Sequence, residues 1–244
     1  MDFWQSVESQ AWKQSSLKVV DFYLAKPGSV FLDIGAWIGP LTLYAAHAAS
    51  AVYAIEADPT AFSALNANVR LNPLLESRTR IFFECTLAQS ADKVQLVGVG
   101  DGTSRVSKFV NDVGLHAGAT WPVKCRSLKD LFAQESIDVG KISLVSLDVV
   151  GSELDLLTSL SALFKVRSAS KPAILLNVYA PAWKDAESAD HALRFAAAWG
   201  VASSFKFVYD VDAGMAPVKL DGGPAFCQKL GCLMLLSDVA WKKA

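Results

Sequence analysis

The chain has 244 residues, 52% of them hydrophobic, with 23 basic against 24 acidic side chains and a formal charge of −1. So apolar a composition excludes disorder, the length supports one sizeable core, and the even charge gives no basic footprint for nucleic acid, which is not expected as a partner. No apolar run reaches the about 18 residues of a membrane span, and Met1 to Ser6 lacks the basic and apolar regions of a secretory signal. An amphipathic helix is expected around residues 4–24, as part of an N-terminal helical cover over 1–28. Val30, Phe31, Leu32 and Ile34 then form a buried strand that runs through Asp33 into Gly35, and Gly39 opens a helix whose Leu41, Leu43, Tyr44, Ala45 and Ala46 follow three- and four-residue spacing. A second strand over 51–57 ends at Glu56. Asp58 and Pro59 start a helix through Phe62, Leu65, Val69 and Leu71, with Pro59 suited to the first turn.

Residues 79–87 read as a third strand. From 94 to 125 the pattern is less regular: residues 94–97 suit one strand of a hairpin, and Gly98, Gly100, Asp101 and Gly102 make a turn-rich segment, so this stretch reads as an insertion or lid. A short helix over 128–132, a central strand over 142–149, a helix over 152–164 and a strand over 173–179 follow. A helix over 186–199 and strands over 205–211 and 232–237 complete the chain, with Asp221-Gly222-Gly223-Pro224 suited to an antiparallel connection. This alternation predicts a single α/β domain over 1–244, a doubly wound, mostly parallel sheet with helices on both faces.

The glycine spacing selects the ligand. A dinucleotide fingerprint needs glycines at the first, third and sixth positions, but counting from Gly35 the third is Trp37 and the sixth is Pro40, which weakens an NAD-dependent oxidoreductase. What stands is Asp33-x-Gly35-x-x-x-Gly39, with a carboxylate where a pyrophosphate would be repelled. S-adenosylmethionine has no phosphate; its ammonium suits Asp33, and backbone N–H groups at the helix start suit its carboxylate. Glu56 lies 23 positions after Asp33, where an acid accepts hydrogen bonds from ribose hydroxyls. The expected cofactor contacts are Asp33, Gly35, Ala36, Trp37, Gly39, Glu56, Ala57, Cys85, Thr86 and Asp148. Gly35 and Gly39 also suit close helix–strand packing, Glu56 a solvated strand end, and Trp37, Cys85 and Thr86 ordinary core positions.

Several separated segments carry a family resemblance: Trp12, residues 33–40 (Asp-Ile-Gly-Ala-Trp-Ile-Gly-Pro), residues 52–59 (Val-Tyr-Ala-Ile-Glu-Ala-Asp-Pro), Asn68 with Leu71-Asn72, and residues 144–153 ending in Glu153. On these the chain resembles a class I S-adenosylmethionine-dependent methyltransferase, and more narrowly the FkbM family. The resemblance implies a Rossmann-like seven-stranded sheet closed by an antiparallel C-terminal hairpin. It also implies O-methylation of a small-molecule or glycan-like acceptor. Two departures stand out: Ser146 replaces a lysine common in that strand, and Val150 replaces the middle acid of Asp-x-Glu-Gly-x-Glu.

Methyl transfer asks the protein for geometry and, where the acceptor is protonated, a base. Asp148, at the C-terminal end of a central strand, is the leading candidate, with helix capping as its other reading. Asn177 ends the neighbouring strand, and His116 sits in the irregular insertion as a mobile base or a solvated loop histidine. Glu153 reads as structural; a metal shared by Asp148, Glu153 and Asn177 is chemically conceivable, but no metal is expected. His47 and His191 fall within helical patterns and receive no role. Cys85, Cys125, Cys227 and Cys232 lack zinc spacing and read as free, mostly buried thiols, consistent with a reducing cytoplasm. A cofactor-binding regulatory or assembly protein without catalysis, prompted by Ser146 and Val150, is the reading from another class.

Overall fold

The computed structural model describes residues 5, 9, 12–98, 105–106, 119–165, 171–178, 189–219 and 232–241. Strand β1, Val30–Ile34, is buried at every position, as its unbroken apolar run requires of a strand covered on both faces. It pairs in parallel with β2, Ala51–Glu56, on one side. On the other side it pairs in parallel with Ile142–Leu147, although more than a hundred residues of chain separate the two. Ahead of β1 lies α1, Gln14–Leu24; α2, Pro40–Ala48, joins β1 to β2; and α3, Pro59–Arg70, leads towards β3, Thr79–Phe83, through the single turn α4, Pro73–Glu76. Asp58 caps α3 as its sequence suggests, accepting from the N–H groups of Thr60 and Ala61, which satisfies donors that the helix itself leaves unpaired.

After β3 the chain builds β4, Cys85–Leu87; β5, Ala91–Gly98; β6, Arg105–Val106; and β7, Ala119–Ser127. Helix α5, Leu128–Gln134, then precedes the Ile142–Leu147 strand, which is β8; α6, Glu153–Lys165; β9, Ala173–Val178; α7, Ala189–Ala202; β10, Phe207–Asp210; β11, Ala216–Pro217; and β12, Cys232–Ser237, follow. The main sheet has the order β11-β10-β12-β9-β8-β1-β2-β3. Its pairings from β9 through β3 are parallel, and β12 lies antiparallel to both β9 and β10. The fold is thus the expected Rossmann-like, doubly wound sheet with antiparallel C-terminal strands.

Side-chain alternation assigns the two faces. Phe31, Val52, Leu144 and Leu175 pack with Val19, Val20 and Leu24 of α1 and Ala45 and Ala46 of α2. Val30, Leu32, Ile34, Val145 and Leu147 point the other way, against Leu128 and Leu131 of α5, Leu156, Leu157 and Leu160 of α6, and Ala198 and Val201 of α7. By the same alternation Asp33 and Ser146, paired in register, share the face that α1 and α2 cover.

Three expectations change. The main sheet has eight strands, because the two-residue β11 pairs onto β10. The third strand breaks at Glu84: Phe83 still pairs with Glu56, but Cys85 pairs with Cys125 in a second sheet ordered β4-β7-β5-β6. The cause is local, since the Glu84 N–H returns to the Glu56 carbonyl while its carboxylate takes two hydrogen bonds from Arg126 of β7, at 2.5 and 2.6 Å, and so turns the chain off the main sheet. The cysteines are not free thiols either. Cys85 and Cys125 face each other across the parallel β4–β7 ladder with Cα atoms 4.4 Å apart and form a disulfide, and Cys232 is also disulfide-bonded. Spacing that matches no zinc motif says nothing of which strands a fold will pair, so the step from free thiols to a reducing compartment falls. The Asp221-Gly222-Gly223-Pro224 turn lies outside the described residues.

Two glycines share a left-handed backbone but not a neighbourhood. Gly28 has φ +81° and no atom within 4 Å of where a Cβ would stand, whereas a Cβ on Gly35, φ +84°, would overlap the backbone carbonyl oxygen of Asp148. Gly28→Ala should therefore cost only the conformational term, about 1 kcal/mol, while Gly35→Ala should cost about 3 kcal/mol or more because β1 and β8 must part. Urea unfolding of the two variants beside the parent chain checks this; equal losses would mean that the β1–β8 approach is not tight.

Candidate functional site

In the main sheet the strand order reverses at β1, with β2 and β3 to one side and β8 and β9 to the other. Ligands of open α/β sheets collect beyond the carboxyl ends of the strands at such a point. A recess opens there, with Asp33, Gly35, Ala36, Trp37, Ser146, Asp148 and Asn177 at the sheet edge, and Trp12, Lys13 and Ser16 reaching over it from α1 and the segment before it.

The turn between β1 and α2 is held from several directions. The N–H groups of Gly35 and Ala36 both donate to the Ile55 carbonyl of β2, at 2.9 and 3.0 Å, and Gly39 N–H donates to the Ala36 carbonyl. Trp37 N–H donates to Glu56 Oε2 at 2.7 Å, and Asn68 of α3 donates to the Ile38 carbonyl at 2.8 Å. Together these fix Trp37 at φ +53°, a conformation that bulky side chains rarely adopt and that persists only where its surroundings impose it. Gly39 closes the turn against α3, where a Cβ would stand 2.5 Å from Leu65 Cδ1.

Two carboxyl groups are buried at this edge. Asp33 is 2% exposed and accepts a 2.6 Å hydrogen bond from Thr42 of α2; burial pushes its pKa up to about 6, against the hydrogen bonds of Thr42 and Ser146 that lower it. Glu56 is 9% exposed and accepts from Trp37 N–H and, through Oε1, from Asp58 N–H at 2.7 Å. Burial raises it to about 7 despite these bonds. Asp148 is more open, and is bridged by Lys13 Nζ at 3.1 Å on Oδ2 and by the Asn177 side-chain amide at 2.9 Å on Oδ1. Glu153 is buried at the start of α6.

The structure therefore brings Asp33, Gly35, Ala36, Trp37, Asp148 and Asn177 to one recess. Among the described residues Gly39, Glu56, Ala57, Cys85 and Thr86 do not line it; Glu56 joins it through the Trp37 N–H. Cys85 is tied up in its disulfide and packs with Leu87, Leu96 and Val123 against Ala57, which corrects its reading as a free thiol. Thr86 is buried with its hydroxyl unbonded. The N–H groups of Gly35, Ala36, Trp37 and Gly39 are consumed inside the protein and Pro40 has none, so these five positions have no N–H left for a ligand carboxylate. His116 lies outside the described residues. Lys13, Ser16 and Thr42 escaped the sequence reading, because only the fold brings α1 and the first turn of α2 to the ends of β1 and β8.

Residues 12–112 match the model of the TRM5/TYW2 methyltransferase domain. The stretch is less than half of the chain and holds α1, β1, the glycine turn and β2, but not Asp148 or Asn177. No curated protein sequence matches the chain. Among solved structures, the methyltransferase FkbM from Methylobacillus flagellatus KT shares 18% identity with a TM-score of 0.41, over 64% of this chain and 34% of that one. This chain thus spans about a third of that protein's length. A putative rRNA-methylase from Clostridium thermocellum shares 9% identity, TM-score 0.48, over 93% and 96% of the two chains. Precorrin-6y C5,15-methyltransferase from Geobacter metallireducens GS-15 shares 12%, TM-score 0.43, over 94% and 89%.

The buried acids give the ligand-free protein a defined pH response. Asp33 and Glu56 bind protons more tightly folded than unfolded, so the stability they allow is intact below about pH 4 and is lost as pH rises through 6 and 7. Asp33→Asn, which keeps an acceptor for Thr42 but removes the charge, should be more stable than the parent at pH 8 by on the order of 2 kcal/mol. The advantage should shrink towards pH 5. Urea unfolding at the two pH values measures it; a pH-independent difference would contradict the assignment.

Proposed function

We propose that the chain binds S-adenosylmethionine in this recess and transfers its methyl group, as a class I methyltransferase. The observation that carries the reading is the glycine turn at the point where strand order reverses, flanked by Asp33 in the recess and by Glu56, whose carboxylate is tied to the same turn through Trp37 N–H. The Glu56 carboxylate accepts from the N–H groups of Trp37 and Asp58, and an ionised carboxylate has further acceptor sites for a ribose hydroxyl. Asp33 and Asp148 at the floor would repel a pyrophosphate and suit an ammonium. The match of residues 12–112 to a methyltransferase domain supports the same reading.

The cofactor, when bound, supplies an already activated methyl carbon. The chain's part is to orient the two reactants. Asn177 and Lys13 fix the Asp148 carboxylate from opposite sides in the ligand-free protein, which leaves it placed at the recess edge to hold the cofactor's amino-acid end. The acceptor in this reading is an oxygen of a small-molecule or glycan-like compound, in the cytoplasm. A formal charge of −1 provides little attraction for a polyanion. Disulfides are rare in that compartment, and the Cys85–Cys125 bridge is the feature that weighs against the location. An RNA acceptor is the second reading, prompted by the TRM5/TYW2 match.

Calorimetric titration with S-adenosylmethionine tests the grip. Asp33→Ala and Glu56→Ala should each weaken binding about tenfold or more, in line with the loss of hydrogen bonds to a charged group. Undiminished affinity in both would refute the assignment. Methyl-labelled cofactor incubated with a cell extract then separates the acceptors: label in small molecules supports the first reading, label in RNA the second, and binding without any transfer a cofactor-binding protein that lacks catalysis.

A further inference from the structure

The roof of the recess carries polar groups that the packing of α1 does not use. Ser16 is 1% exposed, yet its Oγ makes no hydrogen bond among the described residues, and it lines the recess together with Asp33 and Ser146. A buried hydroxyl left in that state is costly unless a ligand or water completes it. Lys13 precedes it by three residues, which places both on one face of the helix start. Its ammonium lies 5.6 Å from the centre of the Trp12 ring and 3.1 Å from Asp148 Oδ2, and no side chain caps the N-terminus of α1 beside it, an end that attracts anions.

Across the gap the charges are reversed. Asp33 and Asp148 form the floor, and the turn's own N–H groups at Gly35, Ala36, Trp37 and Gly39 are already spent on Ile55, Glu56 and Ala36. A recess with two acids below and an ammonium, a hydroxyl and a helix N-terminus above is complementary to an α-amino-acid zwitterion. We propose that Lys13 and Ser16 bind the carboxylate at the amino-acid end of S-adenosylmethionine, while Asp33 and Asp148 hold its ammonium. This rests on the cofactor reading above and assigns the carboxylate end to α1 in place of the glycine turn. The exchange conserves pairing: Lys13 leaves Asp148 for the incoming carboxylate, and the incoming ammonium takes its place beside Asp148. Ser146 on β8 carries no charge, and the cation beside the acids is Lys13, from a different element.

Three ligands differing only at that end decide the matter by calorimetry: S-adenosylmethionine, its decarboxylated form, and methylthioadenosine, which lacks the amino-acid group altogether. The unaltered protein should bind S-adenosylmethionine at least about tenfold more tightly than the decarboxylated form. Lys13→Gln should abolish most of that preference and Ser16→Ala part of it, with both variants binding the other two ligands within about twofold of the unaltered protein. Equal losses for all three ligands would mark α1 as a mere cover and overturn the inference, as would an unaltered protein that binds S-adenosylmethionine and its decarboxylated form alike. Failure of the unaltered protein to bind any of the three would overturn the cofactor reading together with this one.

Discussion

Two carboxyl groups, Asp33 and Glu56, are buried at the ends of adjacent parallel strands, and the rest of the site is arranged around what that burial demands. An acid removed from water must be hydrogen-bonded or give up its charge. Thr42 and Ser146 serve Asp33; Trp37 and Asp58 N–H groups serve Glu56. These donors come from the first helix after β1, from the strand beside it, and from the turn itself. The same contacts that hold the acids thus fix the glycine turn, hold Trp37 in a left-handed conformation, and set Gly35 against the Asp148 carbonyl. Burial raises both acids, to about 6 and about 7, so the protein's own groups offset it only in part.

Much of this was legible from residues alone because it is local. Asp33, Gly35 and Gly39 are close in sequence, and so are Glu56, Asp58 and Pro59, so strand ends, turns and caps follow from spacing and backbone chemistry. The apolar run at 142–147 and the alternation of strands with helices were enough to place Asp148 at a central strand end. What could not be read is whatever depends on elements distant in sequence. Lys13 meets Asp148 across 135 positions and Arg126 meets Glu84 across 42, and neither pair leaves a periodic signal. The break of the third strand at Glu84 and the disulfide of Cys85 with Cys125 both go with the pairing of β4 and β7, a contact between cysteines 40 positions apart that no local pattern announces.

The second sheet is more than an appendage in this arrangement. Glu84 returns its N–H to the Glu56 carbonyl, and the Cys85–Cys125 bridge and the Arg126 fork anchor the following strands beside it. The end of β2 is therefore held from the side opposite the glycine turn.

Hydrogen exchange with and without S-adenosylhomocysteine tests the central claim most directly, because it reports where along the chain a ligand is held and does not depend on knowing the acceptor. The account predicts added protection concentrated at residues 33–39 and 56–58, with a smaller effect at 13–16. Protection confined to other segments, such as the apolar groove between α5 and α6 lined by Phe132, Ile137 and Leu163, or no protection at saturating ligand, would contradict it.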